Sequence, residues 1–305
     1  MVRVELLDYT RDGEKLVALA AKRSVSPQAT PKVSEEEVDK LVVETLKRGH
    51  WSPWEFSNYV FDVECSRVCT HQLVRHRIAS YIQLSQRYGL STLKDLLNEV
   101  GNMVGRSCTA SDYSCHVFNL EEFEKKLSEA RNQVEEDTLL SVVERYFYVP
   151  STVKQNREVY GEYIAYVLAS IKLYLTMLVS GVPHEDARYI LPQSVGSRLM
   201  VQMNARELAT SFLPLRTCAR AQKELRCVAW RMLMKLETVH PKLFGYVGPR
   251  CVLVENMVRD QPLRIRDVIN PEVRVEFTIG RCPEGVPRES IRTCVINSYK
   301  SALDL

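Results

Sequence analysis

Residues 75 to 87 read Arg75-His76-Arg77-Ile78-Ala79-Ser80-Tyr81-Ile82-Gln83-Leu84-Ser85-Gln86-Arg87, three guanidiniums, an imidazole and two serine hydroxyls without a carboxylate. A guanidinium keeps its charge near neutral pH and grips phosphate through paired N–H donors, so the segment points to phosphorylated ligands rather than neutral ones. Ser85 has no histidine close in sequence to act as its base, which makes it a phosphate contact rather than a nucleophile. Two distant arginines join the list. Arg188 reads either as an anion contact or as a surface partner of Glu185 three residues earlier. Arg216 follows Pro214, which stiffens its approach, and is read as opening a helix whose N-terminal dipole also favours anions.

These side chains need elements to hold them. Val2 to Leu7 suits an opening strand and Glu14 to Lys22 a short amphipathic helix, followed by a polar loop from Ser24 to Gln28. Ser34 and Glu37 have capping-box spacing ahead of a helix that Gly49 stops, so His50 sits just past a helix end. Trp51-Ser52-Pro53-Trp54 reads as a rigid loop. Phe56 to Val63 reads as a strand leading into a helix through Arg67, His71 and Arg75. A glycine-, serine- and cysteine-bearing stretch opens residues 89–150, read as an insertion with a helix through Leu120, Phe123, Leu127, Ala130 and Val134. Asn156 to Ser180 is a long, nearly all-round apolar helix, better read as buried than as a membrane span because it contains Lys172 and several tyrosines. His184 to Tyr189 suits a helical turn, Arg198 to Met203 a strand, and Asn204-Ala-Arg-Glu207 a helix cap. Arg216 to Val239 suits a helix, and the alternation Val273, Val275, Phe277, Ile279 a strand in an appended tail, 249–305.

Bulk properties narrow the classes. The 305 residues carry 41 basic and 38 acidic side chains, a net charge of +3, with 45% hydrophobic and 26% charged residues. Balanced charge disfavours a nucleic-acid binder, and no RNA-module signature is present. The N-terminus meets acidic residues before any apolar run, unlike a signal peptide, so a cytoplasmic location is expected. Nine cysteines are read as free thiols by default, with a disulfide inside the insertion as an alternative for Cys108 and Cys115. Cys65 and Cys69 lie one helical turn apart and are read as a buried face rather than a zinc site. No metal set is expected.

The spacing Arg-His-Arg, seven residues, Ser, one residue, Arg resembles the signature of the flavin-dependent (alternative) thymidylate synthases. The resemblance extends upstream through Gly49-His50, Ser52, Glu55 and Gln72. Downstream it continues through Ser180-Gly-Val-Pro183, Ala187-Arg188, Ile190-Leu-Pro192, Asn204-Ala-Arg206, Leu215-Arg216 and Ala221-Gln222. It implies an α+β fold, an antiparallel sheet packed with long helices, here with a helical insertion at 89–150 in a catalytic domain of residues 1–248 and a small β-containing C-terminal extension. It also implies reductive methylation of dUMP to dTMP, with methylenetetrahydrofolate as carbon donor and NADPH-reduced FAD as hydride source. By the same resemblance Gln72, Arg75, Gln83, Leu84, Ser85, Gln86, Arg87, Arg188 and Arg216 would bind dUMP, with Arg216 catalytic at the uracil ring, where a fixed guanidinium stabilises developing negative charge. His50, Ser52, Arg75, His76, Arg77, Gln83, Asn204, Arg206 and Thr210 would contact FAD. A homotetramer with sites at subunit interfaces is implied, so that Arg75 could serve both ligands from neighbouring chains.

Departures lie inside the motif. Ile82 and Gln83 stand where the family usually carries Asn and Glu, Gln86 where it carries Gly, Arg220 near an expected His, and Thr210 at an expected Asn. Gln83 keeps hydrogen-bonding reach without negative charge. These departures motivate an alternative, a paralogue that binds flavin or nucleotide in a regulatory or assembly role.

Overall fold

The computed structural model describes residues 2–27, 32–90 and 93–303. Met1, Gln28 of the polar loop, Ser91 and Thr92 of the insertion, and the last two residues of the tail lie outside these. The architecture is α+β, with a four-stranded antiparallel sheet in the order β1-β2-β4-β3. Its strands are β1 (Arg3–Tyr9), β2 (Asn58–Ser66), β3 (Ala79–Gln83) and β4 (Gly196–Asn204). The chain divides into two compact units. The first holds 64–70 and 83–198, the second 2–63, 71–82 and 199–305.

The first unit is built around the helix Arg157–Val179, which packs with Tyr113–Ser128; Leu93–Val104 and Gln133–Glu144 complete the bundle. Val100, Leu120, Phe123, Val143, Ile164, Val167 and Ile171 meet in its core. Burying aliphatic side chains of this size stabilises by about 1.5–3 kcal/mol each. Two expectations need correction here. The single helix expected through Leu120 and Val134 is two helices, because the first ends at Ser128 and Asn132 caps the second by accepting from the Glu135 N–H. Val134 therefore faces solvent. The helix Arg157–Val179 is covered on one side only, leaving Val159, Tyr166, Leu173 and Val179 exposed.

In the second unit the capping box at Ser34 and Glu37 forms, and Gly49 closes the helix Glu35–Arg48 in the left-handed region at φ 67°. That conformation suits a residue without Cβ. The expected rigid loop at Trp51–Trp54 is largely a 3-10 turn, Ser52–Phe56, with Trp54 buried and its indole N–H donating to Thr45 Oγ1 at 3.0 Å. In β4, Leu199, Val201 and Met203 are buried and the residues between them exposed, matching the alternation in the sequence. The long helix Lys223–Val239 packs against β1 and against the helix Arg288–Leu303.

The strand expected from Val273 to Ile279 does not form. Among the described residues of the tail, one isolated bridge pairs Arg281 with Pro287, and the tail is mainly helical, with Arg250–Val258, Ile265–Ile269 and Arg288–Leu303. Side chains take the main-chain groups that a ladder would use. The buried Glu255 carboxylate accepts the N–H groups of Thr278 and Ile279 at 2.9–3.0 Å, and Arg292 donates to the carbonyls of Asn270 and Val273. Alternation sets faces, but pairing needs a free partner edge.

Candidate active site

The helix opened by Arg67 ends at Leu73 rather than continuing through Arg75, and Arg75-His76-Arg77 forms the turn into β3, a strand the periodicity did not indicate. The Tyr81 hydroxyl ties this turn, lying 2.9 Å from the carbonyl of Leu73 and 2.8 Å from that of His76. Burial, with Glu207 adding to it, pushes the Tyr81 hydroxyl well above its ordinary value, so it remains a donor. Arg75 and Arg77 are exposed on either side while His76 is turned inward and buried.

His76 links two charged partners in the second unit. Its Nε2 accepts from Arg216 Nε at 3.0 Å, and its Nδ1 lies 3.2 Å from the buried Glu207 carboxylate and 3.3 Å from Ser211 Oγ. Since Nε2 accepts, the ring proton sits on Nδ1 and is donated toward Glu207. Phe212 packs edge-on to the imidazole at 5.0 Å between centroids. The chain supplies this geometry through Asn204, which caps Ala205–Glu207 by accepting from the Glu207 N–H, and through the π-helical turn Leu208–Phe212 that follows. Arg216 does not open the long helix. It ends a short one, Leu213–Arg216, and the long helix starts at Lys223 under a Gln222 cap, so histidine contact rather than a helix dipole positions its guanidinium.

The same unit holds a cavity of about 190 Å³ lined by His50 and Ser52 together with Ala20, Ala21, Ser24, Thr45, Pro53 and Phe56. Arg206 is paired with Glu55, and Thr210 donates back to the Arg206 carbonyl at 2.8 Å. Gln72 is half-buried in the last turn before the Arg75 turn.

In the first unit Arg67 and Arg188 line a cavity of about 280 Å³ with Gln86, Tyr189, Leu191, Gln193 and Val195. No carboxylate lines it. Burial, and then the like charge of Arg188, press the Arg67 pKa downward, the mark of two cations sharing a space. The surface pair weighed for Arg188 is not formed through side chains. Its Nε donates to the Glu185 carbonyl at 3.1 Å, while the Glu185 carboxylate takes Arg87 through Nε at 3.0 Å and Nη2 at 2.7 Å. Ser85 Oγ accepts the Arg87 N–H at 3.1 Å, and Leu84 is exposed with its N–H bonded to the Arg198 carbonyl. Gln83 donates through Nε2 to Ser197 Oγ at 2.8 Å and Thr70 Oγ1 at 3.1 Å.

Comparison with known proteins follows the same lines. Residues 5–242 match the family model for thymidylate synthase complementing protein. The chain belongs to that family. It is similar to a flavin-dependent thymidylate synthase of Aeropyrum pernix, 38% identical over 303 residues, covering 96% of this chain and 92% of the relative. It is also similar to one of Saccharolobus solfataricus, 37% identical and covering 100% and 99%. Among solved structures, a UMP/dUMP methylase from Streptomyces cacaoi bound with 5-Br dUMP shares the fold, with a TM-score of 0.55 and 21% identity over 80% of this chain and 93% of that one.

Within this family member, sequence reasoning passed over two residues of the site. Arg67 was read only as part of a helix, and Glu207 only as part of a cap. Arg67 carries a readable signal, a cation one residue into a helix that leaves a strand; Glu207 shows its role only through burial and its contact with His76. Cys65 and Cys69 are both buried, although Cys65 lies at the end of β2 rather than on a helix.

Proposed function

We propose that this protein makes dTMP from dUMP by reductive methylation, with methylenetetrahydrofolate as carbon donor and NADPH-reduced FAD as hydride source. The observation that carries the reading is the Arg67 and Arg188 cavity, where two guanidiniums meet without a lining carboxylate. Such a pair favours a phosphate monoester. Gln86 lines the same cavity, and Ser85 and Arg87 follow it in the chain as further phosphate contacts. At the uracil ring we place Arg216, held by His76 so that charge developing on the ring is stabilised without reorganising the arginine. Glu207 accepts the imidazole proton and keeps Nε2 available to Arg216, which makes His76 and Glu207 positioning residues.

The residues present fit a flavin dinucleotide. The His50 and Ser52 cavity combines an apolar and aromatic lining for a ring system with polar groups from Ser24, Thr45, His50 and Ser52, and the exposed Arg75 and Arg77 suit a pyrophosphate. Asn204, Arg206 and Thr210 lie on the helical segment after β4 and would add polar contacts. When bound, the reduced flavin supplies the hydride that completes the methyl group. We read the assembly as a homotetramer with shared sites, a reading supported by the exposed apolar side chains along Arg157–Val179.

Purified protein should carry flavin absorbance and oxidise NADPH in a dUMP-dependent way, with dTMP identified by mass spectrometry. Tight dUMP binding without turnover would instead favour the binding paralogue, whose motivating residue Gln83 is held in a neutral amide and hydroxyl network.

A further inference from the structure

Four cysteines from separate parts of the second unit line one cavity, of about 30 Å³: Cys218, Cys251, Cys282 and Cys294. Cys218 lies in the turn after Arg216, Cys251 in the first turn of Arg250–Val258, Cys282 in the loop before the last helix, and Cys294 within Arg288–Leu303. Three of the four lie beyond the stretch matched by the family model. Cys251 is within electrostatic reach of all three others, and Cys294 of Cys218 and Cys282.

A main-chain donor reaches one of the sulfurs: the Val286 N–H donates to Cys282 Sγ at 3.3 Å. Cys282-Pro-Glu-Gly-Val286 folds as a tight turn in which the Cys282 N–H meets the Val286 carbonyl at 2.8 Å and the Gly285 N–H meets the Cys282 carbonyl at 2.9 Å. Gly285 adopts φ 83°, which lets the turn curl the Val286 amide onto the sulfur. N–H bonds to sulfur are what tune and hold a ligating thiolate. Arg220 and Arg250 also line the cavity, against Glu284 alone, so the surroundings favour an anionic centre.

The four sulfurs remain unbonded to one another, whereas Cys108 and Cys115 form a disulfide in the same molecule. We propose that Cys218, Cys251, Cys282 and Cys294 form a four-thiolate metal centre. Ligation exchanges a thiol proton for a metal–sulfur bond at each cysteine and transfers no electron, and a four-iron core of charge 2+ assembles without redox change from ferric and ferrous ions in equal number with four sulfides. Tetrahedral zinc, with Zn–S of about 2.3 Å, requires sulfurs on the order of 3.8 Å apart. Among the described residues no three of these four sulfurs lie mutually within 4.8 Å. That spread, with a cavity at its middle, favours a polynuclear iron–sulfur cluster. The centre would brace the turn two residues beyond Arg216.

The test uses the full chain with its flavin, purified without oxygen, and measures iron, zinc and acid-labile sulfide. Metal-free protein is reconstituted with equal amounts of ferric and ferrous iron plus sulfide, and separately with zinc alone. The expected result is about four iron and four sulfide per chain; one zinc without sulfide would support the site and assign it to a single ion. Cys251→Ser and Cys294→Ser should retain less than about a tenth of the metal. Cys227→Ser, buried in Lys223–Val239 and away from the cavity, should retain it all. If the serine variants do not fold, native mass spectrometry of the unaltered protein still decides. No metal bound under either reconstitution, or two disulfides among the four cysteines, would overturn the proposal.

Discussion

The cavity of Arg67 and Arg188 and the cluster of His76, Glu207 and Arg216 handle charge in opposite ways. The first gathers positive charge with no lining carboxylate. The second links a buried carboxylate to an arginine through one imidazole. Burying charge is costly unless it is paired, so the second arrangement completes itself on folding whereas the first is completed by an anion from outside. One region is built to receive a ligand. The other is built to hold a guanidinium still.

The sharpest way to break this contrast is at the fixed arginine. Arg216→Ala should lower the turnover rate by about 10²–10³, the effect of removing one preorganised donor. A loss confined to KM would mean that Arg216 only binds. Next comes the open pair. Arg188→Ala should weaken dUMP binding about 10- to 100-fold, the worth of a charged hydrogen bond, while leaving deoxyuridine binding unchanged in calorimetry. Equal losses for both ligands would remove the phosphate from that cavity.

A third comparison uses Glu255, a buried carboxylate satisfied entirely within the chain. Burial alone would raise its pKa, but hydrogen bonds from Ile279 and Thr278, joined by Arg259, hold it below its ordinary 4.5. A carboxylate depressed in the folded state stabilises fully above its unfolded value. That contribution is lost as pH falls below about 4.5 and through the lower folded value. Glu255→Gln should cost about 1–3 kcal/mol at neutral pH and flatten the acid limb of the stability curve, read by denaturant titration at several pH values. An unchanged acid limb would exclude Glu255 as its source.

The smallest effect is expected at Glu185. Its pair with Arg87 is about half exposed on both sides, so Glu185→Gln should change stability by less than about 1 kcal/mol. If Arg87 belongs with the phosphate site, dUMP should bind somewhat more tightly once that competing carboxylate is gone.

Caps and alternation were legible in the sequence because they depend on neighbours a few residues away. Ser34 with Glu37, Gly49 and Asn204 all act as read, and β4 alternates as expected. The short strand Ala79–Gln83 and the tail were not legible. Each depends on what lies across from it: β4 beside β3, and Glu255 and Arg292 beside the tail. The Arg-His-Arg motif drew attention to the right segment, yet its middle residue turned inward, a choice made by a carboxylate 131 residues away.

The order of residues alone determined the family, the arginine-rich composition of the site and most helix ends, because residue type and local spacing carry them. Tertiary structure alone decided that Arg67 shares a cavity with Arg188, that Glu207 orients His76 toward Arg216, and that four distant cysteines meet. Contacts between residues far apart in the chain are set by packing of whole elements, and no short window of sequence contains that information.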